Sequence, residues 1–211
     1  MKHLIIIGAR GYGREVYQLA TELKGFGSDF VVKGFLDDKA TALSGFAEYP
    51  RILGAVETYE PEKDDIFICA LGEPKYKKIY ANMILQKGGI FTTLIHPNAS
   101  IGIHSTVGVG CIVHAYAKIS CDVTVGDFVS FQSFSDVGHD VTIGNNCHVS
   151  AFAFLGGVVK VGNDVSLFTK SMVVPHKEIG DGVIVGAGSV VIANVKAGTK
   201  VFGNPAKKME L

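Results

Sequence analysis

Residues 125–160 read VGDFVS FQSFSD VGHDVT IGNNCH VSAFAF LGGVVK, six hexads whose first place is apolar and whose fifth is small or β-branched. The register continues in both directions. Counted by six, the apolar anchors are Ile101, Val107, Val113, Ile119, Val125, Phe131, Val137, Ile143, Val149, Leu155, Val161, Leu167, Val173, Ile179, Val185 and Val191, an unbroken run of 16. The place after the anchor is often glycine, as at Gly102, Gly126, Gly138, Gly144 and Gly162. A helix turning every 3.6 residues would rotate such anchors around its circumference. An antiparallel meander needs less regular turns. A solenoid accounts for the number: one short strand and one turn per hexad, three hexads per triangular coil, and about five stacked coils. Anchor and fifth residue lie an even number apart along extended chain, so both point inward.

Before Ile95 this register is absent, which divides the chain into residues 1–94 and 95–211, joined near Thr93–Ser100. His3–Gly8 (HLIIIG) reads as a buried strand, followed by the turn Gly8-Ala9-Arg10-Gly11-Tyr12-Gly13 and an amphipathic helix to about Leu23. Val31–Leu36 is a second strand running into Asp37 and Asp38, and Asp65–Leu71 a third, ending at Gly72 before a helix from Pro74 to about Lys87. These elements make a small parallel α/β unit. Glycines at a strand-to-helix turn let backbone N–H groups approach a phosphate at the positive end of the helix. Acidic residues ending the next strand can accept hydrogen bonds from a ribose or a base. The order G-x-x-G-x-G differs from the dinucleotide fingerprint G-x-G-x-x-G, so the reading is a nucleotide of some kind, against a ligand-free tight turn.

Composition narrows the function classes. Lys plus Arg and Asp plus Glu both count 20, a net charge of zero, which lacks the positive field of a general nucleic-acid binder. The apolar run Leu4–Ile7 is too short for a signal-peptide core or a membrane span, which needs about 20 residues, and a cytoplasmic location is expected. Cys69, Cys111, Cys121 and Cys147 form no CxxC pair and lie in apolar stretches, as reduced, buried thiols do. No metal is expected, since His104, His114, His139 and His148 offer no obvious trio of converging imidazoles.

His139 and His148 stand out in GHDVTIGNNCH. His139 has inward parity unless the turn begins there, and the neighbouring Asp140 favours the turn. His148 immediately precedes its anchor and points outward. Nine residues, or one and a half faces of the triangle, separate the two. On one coil they cannot share a face, so a site touching both draws one of them from a neighbouring subunit.

Together, GARGYG and FLDD near the amino terminus, the His-Asp pair within the hexads and FGNPAKKM at the carboxyl end resemble the PglD/NeuD group of sugar acetyltransferases. The resemblance implies a Rossmann-like α/β domain followed by an all-β, left-handed parallel β-helix of hexapeptide repeats. It also implies a homotrimer with active sites between subunits, using acetyl-CoA and a nucleotide-linked amino sugar. By the same resemblance His139 is the catalytic base and Asp140 the acid beside it. His148 contacts the acetyl group, and Gly157, Thr169, Ala187, Pro205 and Lys207 accompany the cofactor. Arg10, Gly11 and Tyr12 form the nucleotide-sugar loop, Asp37 and Asp38 grip the base, and Gly72 is a third contact. The chain departs from relatives where they carry Ser or Thr then Gly-His, here Arg10-Gly11-Tyr12, and where several carry Asn, here Gln132.

The implied reaction is direct attack of a sugar amine on the acetyl thioester. Imidazole, a base near neutral pH, suits removal of the proton, a contribution of roughly 10²–10⁴-fold. A carboxylate behind it orients the ring, and backbone N–H groups or His148 face the oxyanion. Two alternatives share the sequence features: an O-acetyltransferase on a sialic-type sugar, separated by assaying that acceptor, and a catalytically silent nucleotide-binding scaffold, separated by CoA release. Pro175 and Lys177, the latter at an inward small-residue place, suggest a locally distorted coil.

Overall fold

The apolar anchors make the carboxyl-terminal core. From Val113 to Val191 every one is at most 5 % exposed, and Ile101 and Val107 of the first coil are partly buried against them. The inward fifth places complete it with Cys111, Ala117, Val123, Val129, Cys147 and Ala153, all buried. A fully buried Val, Leu or Ile contributes about 1.5–3 kcal/mol, and identical places stack coil on coil. The structure, a computed structural model, describes residues 1–209. The chain divides into two units, Met1–Pro97 and Asn98–Leu211.

The second unit is a parallel β-solenoid with three faces. The first face carries Ser100–Ile101, Lys118–Ile119, Asp136–Val137, Phe154–Leu155, Met172–Val173 and Val190–Val191. The second carries Thr106–Val107, Thr124–Val125, Thr142–Ile143, Lys160–Val161 and Glu178–Ile179. The third includes Ile112–Val113, Ser130–Phe131, His148–Val149, Ser166–Leu167 and Ile184–Val185, and ends with Lys200–Phe202 and the antiparallel Lys207–Lys208. Partners lie 18 residues apart, as in Asp136↔Phe154 and His148↔Ser166, until the last coil, where Ile184↔Lys200 are 16 apart.

The turns hold a feature that the hexad pattern does not announce. Every sixth residue from His104 to Gly188 has φ between +57° and +73°, and 12 of these are not glycine. Each such residue costs about 1–3 kcal/mol, offset by the anchors that the turn delivers to the core. The recurring glycine sits two places earlier, for a different reason. A Cβ on Gly138 would lie 2.7 Å from Gly157 N, and one on Gly102 2.5 Å from Cys121 N. Close approach of the next coil, not backbone freedom, selects glycine there.

Two expectations are corrected. The ladder passes Pro175 and Lys177 in register, with Lys160↔Glu178 paired and Lys160 N–H donating to Lys177 O at 2.9 Å, so the coil is undistorted. Lys177 is half-buried, its long apolar stem able to follow the wall. All four cysteines are free, but Cys121 is only half-buried because it occupies a turn.

In the first unit, β1 (Lys2–Ile7), α1 (Gly11–Thr21), β2 (Phe30–Leu36), β3 (Ile52–Gly54), β4 (Asp65–Cys69), α2 (Pro74–Gln86) and β5 (Ile90–Phe91) form an α/β layer. The sheet is parallel, in the order β3-β2-β1-β4-β5. Leu4–Ile7 are at most 1 % exposed, the continuous apolar run of a central parallel strand. The short β3 and β5 gave no sequence signal, having three and two residues. A bulge skips Lys33 in β2 and its ammonium reaches the buried Asp65, 2.9 Å away, with Glu62 also at 2.9 Å. Burial opposes both charges, but hydrogen bonds from the Glu62 N–H, Lys33 and Tyr59 hold the Asp65 carboxyl below its ordinary value, and the pairing raises Lys33. No helix among the described residues is long and apolar enough to cross a membrane.

Candidate active site

In the first unit the chain order turns outward from β1 to β2 on one side and to β4 on the other. A crevice opens at the carboxyl ends of such strands. Here it is a pocket of about 560 Å³, bounded by the ends of β1, β2 and β4 at Ile7, Leu36 and Ala70. Five expected residues line it: Arg10, Tyr12, Asp37, Asp38 and Gly72. Gly11 opens α1 beside them. Gly13 permits the tight strand-to-helix turn, since a Cβ there would sit 1.9 Å from Gly8 O. The pocket is electrostatically divided. The Arg10 guanidinium and the amino end of α1 form a positive wall, while Asp37 and Asp38 form a negative one.

The two aspartates differ in role. Asp37 accepts the Ala9 N–H on Oδ2 and the Lys39 N–H on Oδ1, both at 2.9 Å, and so clamps the glycine turn to the end of β2. Asp38 is exposed and accepts the Tyr80 hydroxyl on Oδ2 at 2.5 Å. That bond, and then burial, pushes the Tyr80 phenol up to about 12. Tyr76 and Tyr80, one turn apart on α2, line the pocket as well, and sequence reasoning missed both. Their i, i+4 spacing on a helix that follows the Gly72 turn was the available signal.

In the solenoid, His139 and Asp140 occupy the turn between the first and second faces, the outward alternative of the sequence reading. Asp140 has φ +58°, which folds its carboxylate back toward the preceding ring, and Oδ2 lies 2.6 Å from His139 Nδ1. With Nδ1–H donating to that oxygen, Nε2 keeps its lone pair. Both side chains are more than half exposed. One coil on lies Gly157, where a Cβ would fall 2.7 Å from His139 Nε2 and 2.8 Å from Cε1. The missing side chain is the space that the imidazole fills.

The remaining expected residues lie elsewhere on the prism. His148 is on the third face, 6 % exposed, between Ser130 and Ser166. Gln132, Thr169 and Ala187 occupy the corner between the third and first faces, where Gln132 Oε1 accepts the Ala151 N–H at 3.3 Å and Gly188 N–H donates to Thr169 O. The tail returns to this corner, with Ala206 N–H donating to Val190 O at 2.8 Å and Gly203 N–H to Ser189 Oγ at 3.0 Å. Pro205 and Lys207 thus join Thr169 and Ala187, with Lys207 and Lys208 exposed on the last strand. His139, Asp140 and Gly157 lie across the first face from this set. Among the described residues no group of three or more His, Cys, Asp or Glu could hold a metal ion.

Comparison with known proteins follows the same division. Residues 3–84 match the model of the PglD N-terminal domain, and residues 122–157 that of the bacterial transferase hexapeptide (six repeats). UDP-N-acetylbacillosamine N-acetyltransferase of Bacillus subtilis (strain 168) is 30% identical over 117 residues, covering 54% of this chain and 51%, about half, of that protein. Among solved structures, the acetyltransferase domain of PglB from Neisseria gonorrhoeae FA1090 in complex with acetyl coenzyme A aligns over 99% of both chains, with TM-score 0.87 and 27% identity. PerB from Caulobacter crescentus, in complex with CoA and GDP-perosamine, shares the fold at TM-score 0.89 and 24% identity, over 100% of this chain and 98% of its own. The first unit thus matches the PglD N-terminal domain, the second carries the bacterial transferase hexapeptide repeat, and the chain is similar along nearly its full length to the PglB acetyltransferase domain.

Proposed function

We propose that the protein transfers the acetyl group of acetyl-CoA to the amino group of a nucleotide-linked 4-amino-4,6-dideoxy sugar. The observation that carries this reading is the His139–Asp140 pair at 2.6 Å, exposed on a solenoid corner with Nε2 seated over Gly157. The names of the relatives, an N-acetyltransferase of a UDP sugar and an acetyltransferase domain that binds acetyl coenzyme A, support the substrates. The divided pocket of the first unit suits a nucleoside diphosphate: phosphates toward Arg10 and the amino end of α1, nucleoside toward Asp38.

In the reaction, the amine nitrogen attacks the thioester carbonyl carbon and its proton passes to His139 Nε2. Asp140 fixes the tautomer and stabilises the imidazolium. As the C–S bond breaks, the same proton returns from Nε2 to the departing sulfur, leaving amide and free CoA thiol. His148, Thr169, Ala187, Pro205 and Lys207 hold the cofactor in this reading, with the Lys207 ammonium group facing its phosphates. Because His139 and that set occupy different sides of one solenoid, a homotrimer is proposed in which each site takes His139 from one subunit and the cofactor residues from the next.

The test is CoA release with a panel of UDP-, dTDP- and GDP-linked 4-amino sugars, and with sialic acid as the O-acceptor, on the native chain and His139→Ala. The expected result is turnover on an amino sugar, with kcat lowered by about 10³-fold or more in the variant and KM little changed. A variant within tenfold of native removes His139 from the role.

A further inference from the structure

In the nucleotide pocket, the Asp38 carboxylate is the group at the end of β2 left to meet a nucleoside, because Asp37 spends both oxygens on backbone N–H groups. Asp38 is not free either. Tyr80, on α2, donates its hydroxyl to Oδ2, which fixes the carboxylate and leaves Oδ1 to accept a donor. Tyr76, one helical turn earlier, is 46% exposed and presents its ring to the same pocket.

We propose that Tyr80 is a specificity-determining residue, holding Asp38 so that its single open oxygen reads the one imide N–H of a uracil or thymine base. The inference rests on the reading of this pocket as a nucleoside diphosphate site and adds which base it accepts and which side chain decides it. A pyrimidine dione offers one N–H between two carbonyls, so one open oxygen is a match. Guanine offers two adjacent donors, from N1 and N2, and is satisfied by a carboxylate that can turn both oxygens to it. With Oδ2 turned to the phenol, its remaining lone pair is not aimed at a second base donor, so guanine pairs one of its two N–H groups poorly. Adenine and cytosine place a ring-nitrogen lone pair against the carboxylate. Tyr80 touches no reacting atom. It acts through Asp38, and the Tyr76 ring supplies base stacking that is indifferent to base identity.

The experiment is calorimetric titration of the full chain with UDP, GDP and N3-methyl-UDP, repeated on Tyr80→Phe. The native chain is expected to bind UDP about tenfold or more tightly than GDP, and to lose about tenfold on N3-methylation. In Y80F the freed carboxylate turns both oxygens inward, and the UDP preference falls to within about threefold. Thermal melting of the variant checks that it is folded. The N3-methyl comparison needs no variant and stands if Y80F does not fold. Equal affinity for UDP and N3-methyl-UDP, a native preference for GDP, or a UDP/GDP ratio unmoved in folded Y80F overturns the inference while leaving the pocket a nucleotide site. Absence of binding by every nucleotide removes the pocket reading itself, and this inference with it.

Discussion

Gly157→Ala isolates the seat of the proposed base from everything else in the solenoid. The added methyl would fall 2.7 Å from His139 Nε2 and 2.8 Å from Cε1. Ordinary contact begins at about 3.4 Å, so the imidazole must give way by about 0.7 Å. It cannot do so while keeping its 2.6 Å bond to Asp140, since a shift of that size spans most of the range between a good hydrogen bond and none. Displacement of a reacting group by about 1 Å costs on the order of 10²-fold, or about 2.7 kcal/mol of barrier. The backbone tolerates the change, because Gly157 lies outside the left-handed region, and the methyl enters a surface turn rather than the core. The expected outcome is therefore kcat down about 10²-fold, with KM for both substrates and the melting temperature nearly unchanged. Steady-state CoA release and a thermal melt on the same preparation measure these. A G157A protein within about threefold of native kcat, alongside an inactive H139A protein, refutes the seating of the ring against Gly157 and the preorganisation argued from it.

Three further outcomes are expected. Mixing and reassembling inactive His139→Ala and His148→Ala chains in equal amounts restores roughly a quarter of native activity if each site is shared between neighbours in a cyclic trimer, whereas sites built within one chain recover nothing. Asp140→Asn keeps the size of the partner but donates a hydrogen bond where Nδ1–H needs an acceptor, and kcat falls about 10²-fold or more, with acetyl-CoA binding, followed by titration, unaffected. In the first unit, Asp65→Asn leaves the Lys33 ammonium without its buried partner and lowers stability by about 3 kcal/mol in denaturant melts. The Asp65 carboxyl is held below its ordinary value, so its contribution is present above the unfolded carboxylate pKa of about 3.9 and fades as pH falls through the lowered folded value. D65N should accordingly flatten the acid limb of the stability profile.

The solenoid was legible because its core is periodic in sequence. Every sixth residue meets its own counterpart 18 positions away, so a one-dimensional repeat and a three-dimensional stack are the same statement. The central strands of the first unit were legible for a related reason, since Leu4–Ile7 are buried on both faces and show it as an unbroken apolar run. Glycine places were visible without their cause. Gly138, in the second place of its hexad, clears the backbone of the next coil, whereas Gly157, in the third, clears the His139 ring.

What the chain order alone determined was the inventory: a glycine turn before a helix, two aspartates ending a strand, a His-Asp pair in a hexad turn, and the impossibility of His139 and His148 sharing a face. The fold decided allocation. Asp37 became a clamp while Asp38 was left facing the pocket, because only one stands within reach of backbone N–H groups on both sides, and Tyr80 entered the pocket because α2 packs beside β4, far along the chain from Asp38. Hydrogen bonds between residues 42 positions apart leave no periodic trace, whereas stacking in a solenoid writes itself into the sequence at every coil.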